Sequence, residues 1–327
     1  MRSLSPVAVD TTGVGPRDSV LTTAGLPSPS KEPRSRHHQS ALVVDSEVPP
    51  HARRNHILTG YRPIVQTDQS LIRASFRGLF SLHNETLNVW SHLLGVGWAV
   101  MRLQWLTTLP ADAVGATAPE GMRMSVGLFL LTAIFCLGIS VIAHLLAPIV
   151  NREPSLALWR VDSFGICVLI GGSYLPGLAF GFRCRPAWRG AYSTIVGVLL
   201  LAGALTSVTA ETGRGGTLER LRVCTLCSSV LFGLVPLCHF CMLAPSDETA
   251  IFVPPLLHMF FFYILGFFFY ASAVPESLNP GRWDLRGGSH FMWHLAVLSA
   301  VVAYERGVQA MLLHKDAQAC EGWPPDI

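Results

Sequence analysis

His290 and His294 are four residues apart in an apolar stretch, so on a helix they stack on one face. Ser140 and His144 repeat that spacing in a second apolar stretch, and Asp162 stands at the start of a third. Ionisable groups in such surroundings are expensive and usually functional. Three imidazoles drawn from two helices can occupy three corners of a tetrahedron. A zinc ion so held keeps its fourth position for water, the catalytic pattern, whereas structural sites close all four. Zinc lowers the pKa of its water from 15.7 to about 7. On this reading His144, His290 and His294 are the metal ligands. Asp162 holds the water or acts as general base, and Ser140 donates to an oxyanion or to a neighbouring ligand. Each residue also has a plainer role. A transmembrane His can bond a neighbouring helix, Asp162 can pair with Arg160 or cap its helix, and Ser is common in helix packing. The metal reading needs the fold to bring all of them to one depth.

The elements that could do so are visible as windows without charge. The 327-residue chain is 50% hydrophobic and only 14% charged, against about 25% in average soluble domains. That excludes an ordinary water-facing surface and whole-chain disorder. Eight Cys is ordinary usage and excludes a disulfide scaffold, and a net charge of +3 is too small to point to nucleic acid. A bilayer-crossing helix needs about 20 predominantly apolar residues. Stretches free of Asp, Glu, Lys and Arg run over 124–150, 163–182, 190–210, 223–246, 249–275 and 287–304. A further span covers about 87–109, with Arg102 near its far end able to snorkel to the headgroups. The expectation is an all-α membrane protein, a seven-transmembrane-helix bundle over 86–313. The continuous runs argue against a β-barrel, whose strands alternate.

Outside the bundle, residues 1–57 are rich in Ser, Pro, Arg and Thr and read as a disordered tail. No apolar segment of a signal peptide follows Met1 and Arg2. Residues 58–85 form a juxtamembrane amphipathic segment in which Ile72, Phe76, Leu79 and Phe80 share one face and Arg73 and Arg77 another. That suits a helix lying on an anionic leaflet, or an ordinary packing helix. Residues 314–327 form a short outer tail. With the N-terminus inside, ten Arg fall in inner segments and seven Arg or Lys in outer ones. The bias favours a cytoplasmic N-terminus. In that arrangement the end of the second span and the starts of the third and seventh lie at one depth. His144, Asp162, His290 and His294 therefore share the cytoplasmic side.

Other candidates are weaker. Cys224/Cys227 and Cys238/Cys241 have C-x-x-C spacing, but inside a span, where they read as packing residues. His239 and His258 could bond across the bundle. Asn84-Glu85-Thr86 has the form of a glycosylation sequon, but lies too close to the membrane and on the inner side. Pro176, Pro236, Pro254 and Pro255 are expected to kink their helices.

Several motifs, in order, carry a resemblance. Leu58-Thr59-Gly60-Tyr61-Arg62-Pro63 is followed by Leu82-His83-Asn84-Glu85-Thr86-Leu87-Asn88-Val89-Trp90-Ser91-His92. Ser140 with His144, Asp162 with Gly165 and Ile166, and Gly172-Ser173 with Pro176 come next. Val235-Pro236 with His239, then Pro275-Glu276, Pro280-Gly281, Asp284 and Ser289-His290 with His294, complete the series. Over about 58–295 the chain resembles the progestin and adipoQ receptor family. The resemblance implies seven helices, a cytoplasmic N-terminus and a zinc site near the inner leaflet, with ligands His144, His290 and His294 and with Asp162 and Ser140 beside them. It departs at Val274, where the family usually has Arg, at Phe291 (Gln) and at Ser91 (Thr). No ligand position is touched.

Three functions follow from the resemblance. The first is a zinc-dependent hydrolase of a lipid amide such as ceramide. The second is a hormone receptor, for an adiponectin-like protein or a sterol-like progestin, with a purely structural zinc. The third is a membrane scaffold holding partners at the Golgi or plasma membrane through residues 1–80. The expected partners are membrane lipids and an extracellular hormone, not nucleic acid. A retinal-binding pump is excluded, because the only lysines, Lys31 and Lys315, lie outside the spans.

Overall fold

The structure is a computed structural model and describes residues 42–110, 120–209, 216–313 and Cys320. Among these residues it is helical, with no β-sheet. Helix α1 covers Asp68–Phe80, α2 Thr86–Thr108, α3 Glu120–Leu146, α4 Arg152–Gly181 and α5 Pro186–Thr209. Then come α6 Thr217–Phe232, α7 Leu234–Leu243, α8 Ser246–Ser272 and α9 Ser289–Leu313. Six segments are long and apolar enough to cross a membrane: α3, α4, α5, α6 with α7, α8 and α9. Helix α2 is less apolar and packs beside α3 and α9 as the seventh helix. The all-helical bundle expected from the charge-free windows is therefore present.

Its seams explain how the halves of the site meet. Gly165 and Gly172 line the face of α4 toward α3. A Cβ at Gly172 would stand 1.8 Å from Thr132 Oγ1, and one at Gly165 would stand 3.3 Å from the Cys136 backbone. Small residues allow this close approach, as in other membrane helix pairs. The same seam carries Asp162 against Ser140. On the other side, Gly307 of α9 closes on the ring of Pro255 in α8. Phe129, Leu130, Ala133, Ala300, Val301 and Tyr304 fill the core between them.

Of the four prolines, only Pro236 interrupts its helix. Without an N–H it cannot complete the i→i−4 ladder, and the span breaks at Gly233 into α6 and α7. Helices α4 and α8 run unbroken through Pro176 and through Pro254 and Pro255. Arg102 does not snorkel. Its Nε and Nη2 donate to Glu305 Oε1 of α9 at 2.9 and 2.8 Å, and Nη2 donates to Gln309 Oε1 at 2.6 Å.

The N-terminal boundary is also corrected. Disorder was expected to residue 57, yet the chain is folded from Leu42 onward; residues 1–41 of that tail lie outside the described residues. Val43 and Tyr61 exchange backbone hydrogen bonds, and Val48, Ala52, Ile57 and Tyr61 bury a small core of their own. Composition misses this strap because four spaced apolar residues suffice to hold it. The juxtamembrane helix α1 starts with a reciprocal Thr67–Ser70 capping box. Its Ile72, Phe76 and Phe80 form an exposed apolar row. The expected outer tail lies outside the described residues except at Cys320.

Candidate metal centre

Each helix end that carries a ligand is pinned locally. Helix α9 begins at Ser289, whose N–H donates at 2.6 Å to Glu276 Oε2 and whose hydroxyl donates to Oε1. A carboxylate on the first N–H groups satisfies orphan donors and suits the helix dipole. Gly288 is required there, since a Cβ would stand 2.8 Å from the Glu276 carboxylate. Gly287 takes a φ of +86°, in the left-handed region that glycine adopts without strain. At the other ligand helix, Arg62 Nη2 donates to the last carbonyls of α3, His144 O at 3.1 Å and Leu145 O at 2.9 Å. Burial pushes the Arg62 guanidinium down to about 10.

Between these pins the three imidazoles meet. Ring centroids lie 5.0 Å apart for His144–His290, 4.7 Å for His144–His294 and 4.8 Å for His290–His294. One ligand atom from each falls within 4.8 Å of the others. His144 Nε2 is 3.3 Å from His290 Nε2; two nitrogens at tetrahedral positions around zinc stand about 3.4 Å apart. Partners fix the tautomers. His144 Nδ1–H donates to Glu85 Oε2 at 2.7 Å, and His294 Nδ1–H donates to the Asn88 carbonyl at 3.1 Å. Both rings therefore turn a bare Nε2 inward, the orientation a metal ligand needs. The donor set fits zinc: imidazole suits the ion, and three protein ligands leave one position open.

Glu85, singled out in the sequence only as part of a sequon and a family motif, organises this shell. It is 2% exposed. Oε1 takes a hydrogen bond from Arg54 Nε, and Oε2 takes a second one from Asn88 Nδ2 at 2.6 Å. Burial raises such a carboxyl, but the Arg54 guanidinium, with His144 and Asn88, holds Glu85 well below the usual range. Arg54 comes from the strap and stacks over Trp159 at 5.3 Å, while Trp159 meets the His144 ring edge-on. The strap is held in place by Asp284 Oδ2, which accepts from the backbone N–H of Leu58 and Thr59 and from the Thr59 hydroxyl. A fourth imidazole, His92 of α2, stacks on His294 at 3.7 Å. Glu85 and His92 belong to the Leu82–His92 motif, but only burial and tertiary pairing give them, and Arg54, a place around the three imidazoles.

Asp162 lies within electrostatic reach of Ser140, His144, Arg54 and Arg222. Asp162 stands well inside α4, whose N-cap is Asn151, so it does not cap that helix. Arg222 of α6 is 5% exposed, donates to Ser163 Oγ and has no partner at Nε. The remaining candidates separate from the centre. The two C-x-x-C pairs lie on helices α6 and α7. His239 bonds Tyr192 at 2.9 Å rather than His258, which is exposed. Two cavities stand out among the described residues. One is ringed by Tyr174, Tyr263 and Tyr304, and the other is a groove between α3, α4 and α5; neither is lined by the three His.

Comparisons with known proteins agree with this architecture. The model of the haemolysin-III-related family matches residues 80–304. The adiponectin receptor protein of Drosophila melanogaster is 30% identical across 78% of the chain, which spans only 56% of that protein. Heptahelical transmembrane protein 1 of Arabidopsis thaliana is 32% identical, covering 85% of the chain and 83% of the plant protein. Progestin and adipoQ receptor family member 3 of Homo sapiens is 27% identical, covering 85% and 88%.

Proposed function

The chain belongs to the haemolysin-III-related family, with the progestin and adipoQ receptors, and on that premise we propose that it is a zinc-dependent hydrolase of membrane lipid amides. The observation that carries this reading is the convergence of His144, His290 and His294, with Asp162 within electrostatic reach of His144. When bound, zinc supplies Lewis acidity toward water and the amide carbonyl. The Asp162 carboxylate accepts the proton of the attacking water and returns it to the leaving amine nitrogen, giving a fatty acid and a free amine. Ser140, across the α3–α4 seam, is placed to donate to that carboxylate. Glu85 and Asn88 fix the His144 and His294 rings. In this reading the N-terminus is cytoplasmic, the site faces the inner leaflet, and the membrane is the plasma membrane or the Golgi.

A second reading has its own support. His144 is fully buried under Arg54 and Trp159, and the fly relative is named an adiponectin receptor. A structural zinc inside a hormone receptor suits such a covered site. One sample separates the two. Purified full-length protein is assayed for zinc and, with a panel of labelled lipid amides, for released fatty acid. The hydrolase reading expects about one zinc per chain and turnover in the wild type. In Asp162→Asn it expects most of the zinc and a loss of turnover of about 100-fold or more, the range of a general base. Zinc without turnover on any amide leaves the receptor reading. Folded wild-type protein without metal removes both.

A further inference from the structure

Six of the eight cysteines lie within the helices: Cys136, Cys167, Cys224, Cys227, Cys238 and Cys241. The other two, Cys184 and Cys320, lie outside them and are bonded to each other, with Cα atoms 5.7 Å apart. Cys184 follows α4, and Cys320 follows α9. Between them the chain crosses four times, through α5, α6 with α7, α8 and α9, so both reach the same side. Between the strap and Cys184 it crosses three times, so the pair lies opposite the three-histidine centre.

We propose that Cys184–Cys320 is a native disulfide of the extracytoplasmic face. It would staple the outer ends of α4 and α9, which carry Asp162 in the inner half of α4 and the His290/His294 pair at the inner end of α9. Cytosolic glutathione and thioredoxin keep accessible thiols reduced, whereas disulfides persist in oxidising compartments. Two thiols lose two protons and two electrons as the S–S bond forms. The electrons pass to a protein disulfide of the secretory lumen, which becomes a dithiol. The bond thus orients the bundle independently of the Arg and Lys count. It leaves the centre on the reducing side. The inference rests on helix count and cysteine placement, not on zinc or hydrolysis.

The test uses full-length protein in sealed microsomes, cytosolic face outward. Free thiols are blocked with N-ethylmaleimide under denaturing conditions, the sample is reduced, and new thiols are counted by mass shift with a polyethylene-glycol maleimide. The expected result is two adducts in the wild type and none in Cys184→Ser or Cys320→Ser. Pretreatment of the intact microsomes with a membrane-impermeant reductant leaves the two adducts, and adding detergent during that pretreatment abolishes them. No adducts in the untreated wild type, or two in either single variant, overturns the bond. Loss of the adducts in sealed microsomes overturns the sidedness. Either failure leaves zinc content and amide turnover untouched, so it is distinguishable from failure of the hydrolase reading.

Discussion

At the scale of single residues, the centre depends as much on the groups behind the imidazoles as on the imidazoles. Glu85 fixes the His144 tautomer while Arg54 and Asn88 occupy its other lone pairs. Glu85→Gln keeps the size but loses the charge and the acceptor strength. It should weaken zinc binding by roughly 10- to 100-fold, the usual cost of losing such a support. Chelator competition on the purified variant reads this, and an unchanged affinity would remove Glu85 from the centre. His83 makes a different prediction. Its Nε2–H donates to the Gly78 carbonyl, its Nδ1 accepts from the Glu85 N–H, and burial pushes the ring down to about 4. The folded state thus prefers the neutral ring, while the unfolded ring titrates near its ordinary value of about 6.5. This contribution to stability is complete above that value and is lost as pH falls toward 4. In His83→Gln the thermal midpoint should depend less on pH between about 6.5 and 4 than in the wild type.

At the scale of elements, the α3–α4 seam sets the distance between the His144 and Asp162 helices. A Cβ at Gly172 has no room beside Thr132 Oγ1. Gly172→Val should therefore cost about 1–3 kcal/mol, the range for overpacking, and lower the thermal midpoint in detergent. Thr132→Ala opens the space and should restore part of the loss in the double variant. Independent, additive effects would mean that the two side chains do not meet. The α1–α2 turn and the strap act as further positioning elements. Gly78 sits against the Arg62 guanidinium, and Arg62 in turn closes the end of α3.

At the scale of the whole molecule, the proposed topology puts the strap and Cys320 on opposite sides of the membrane, with the ten-to-seven bias of Arg and Lys favouring the strap side as cytoplasmic. Protease added to sealed microsomes with the cytosolic face outward should remove an N-terminal tag and spare a C-terminal one. The reverse pattern would move the metal centre to the other leaflet.

The helical class and the meeting of His144, His290 and His294 were already legible in the sequence. Charge-free runs of membrane length admit only helices, because lipid offers no partner to an unpaired backbone. His144, His290, His294 and Asp162 announce themselves because ionisable groups are rare in such runs. Parity of the crossings then assigns them one depth. Tertiary structure alone decided what surrounds them. Arg54 belongs to a strap that composition marks as disordered, and Glu85 and His92 stand in a motif whose sequence names no partner for either. Each acquires its role only when segments distant in sequence pack together, because a hydrogen bond to a ring nitrogen or a ring stacked at 3.7 Å is a property of two surfaces, not of one spacing. The same holds for Cys184 and Cys320, whose pairing depends on where 136 residues of chain return.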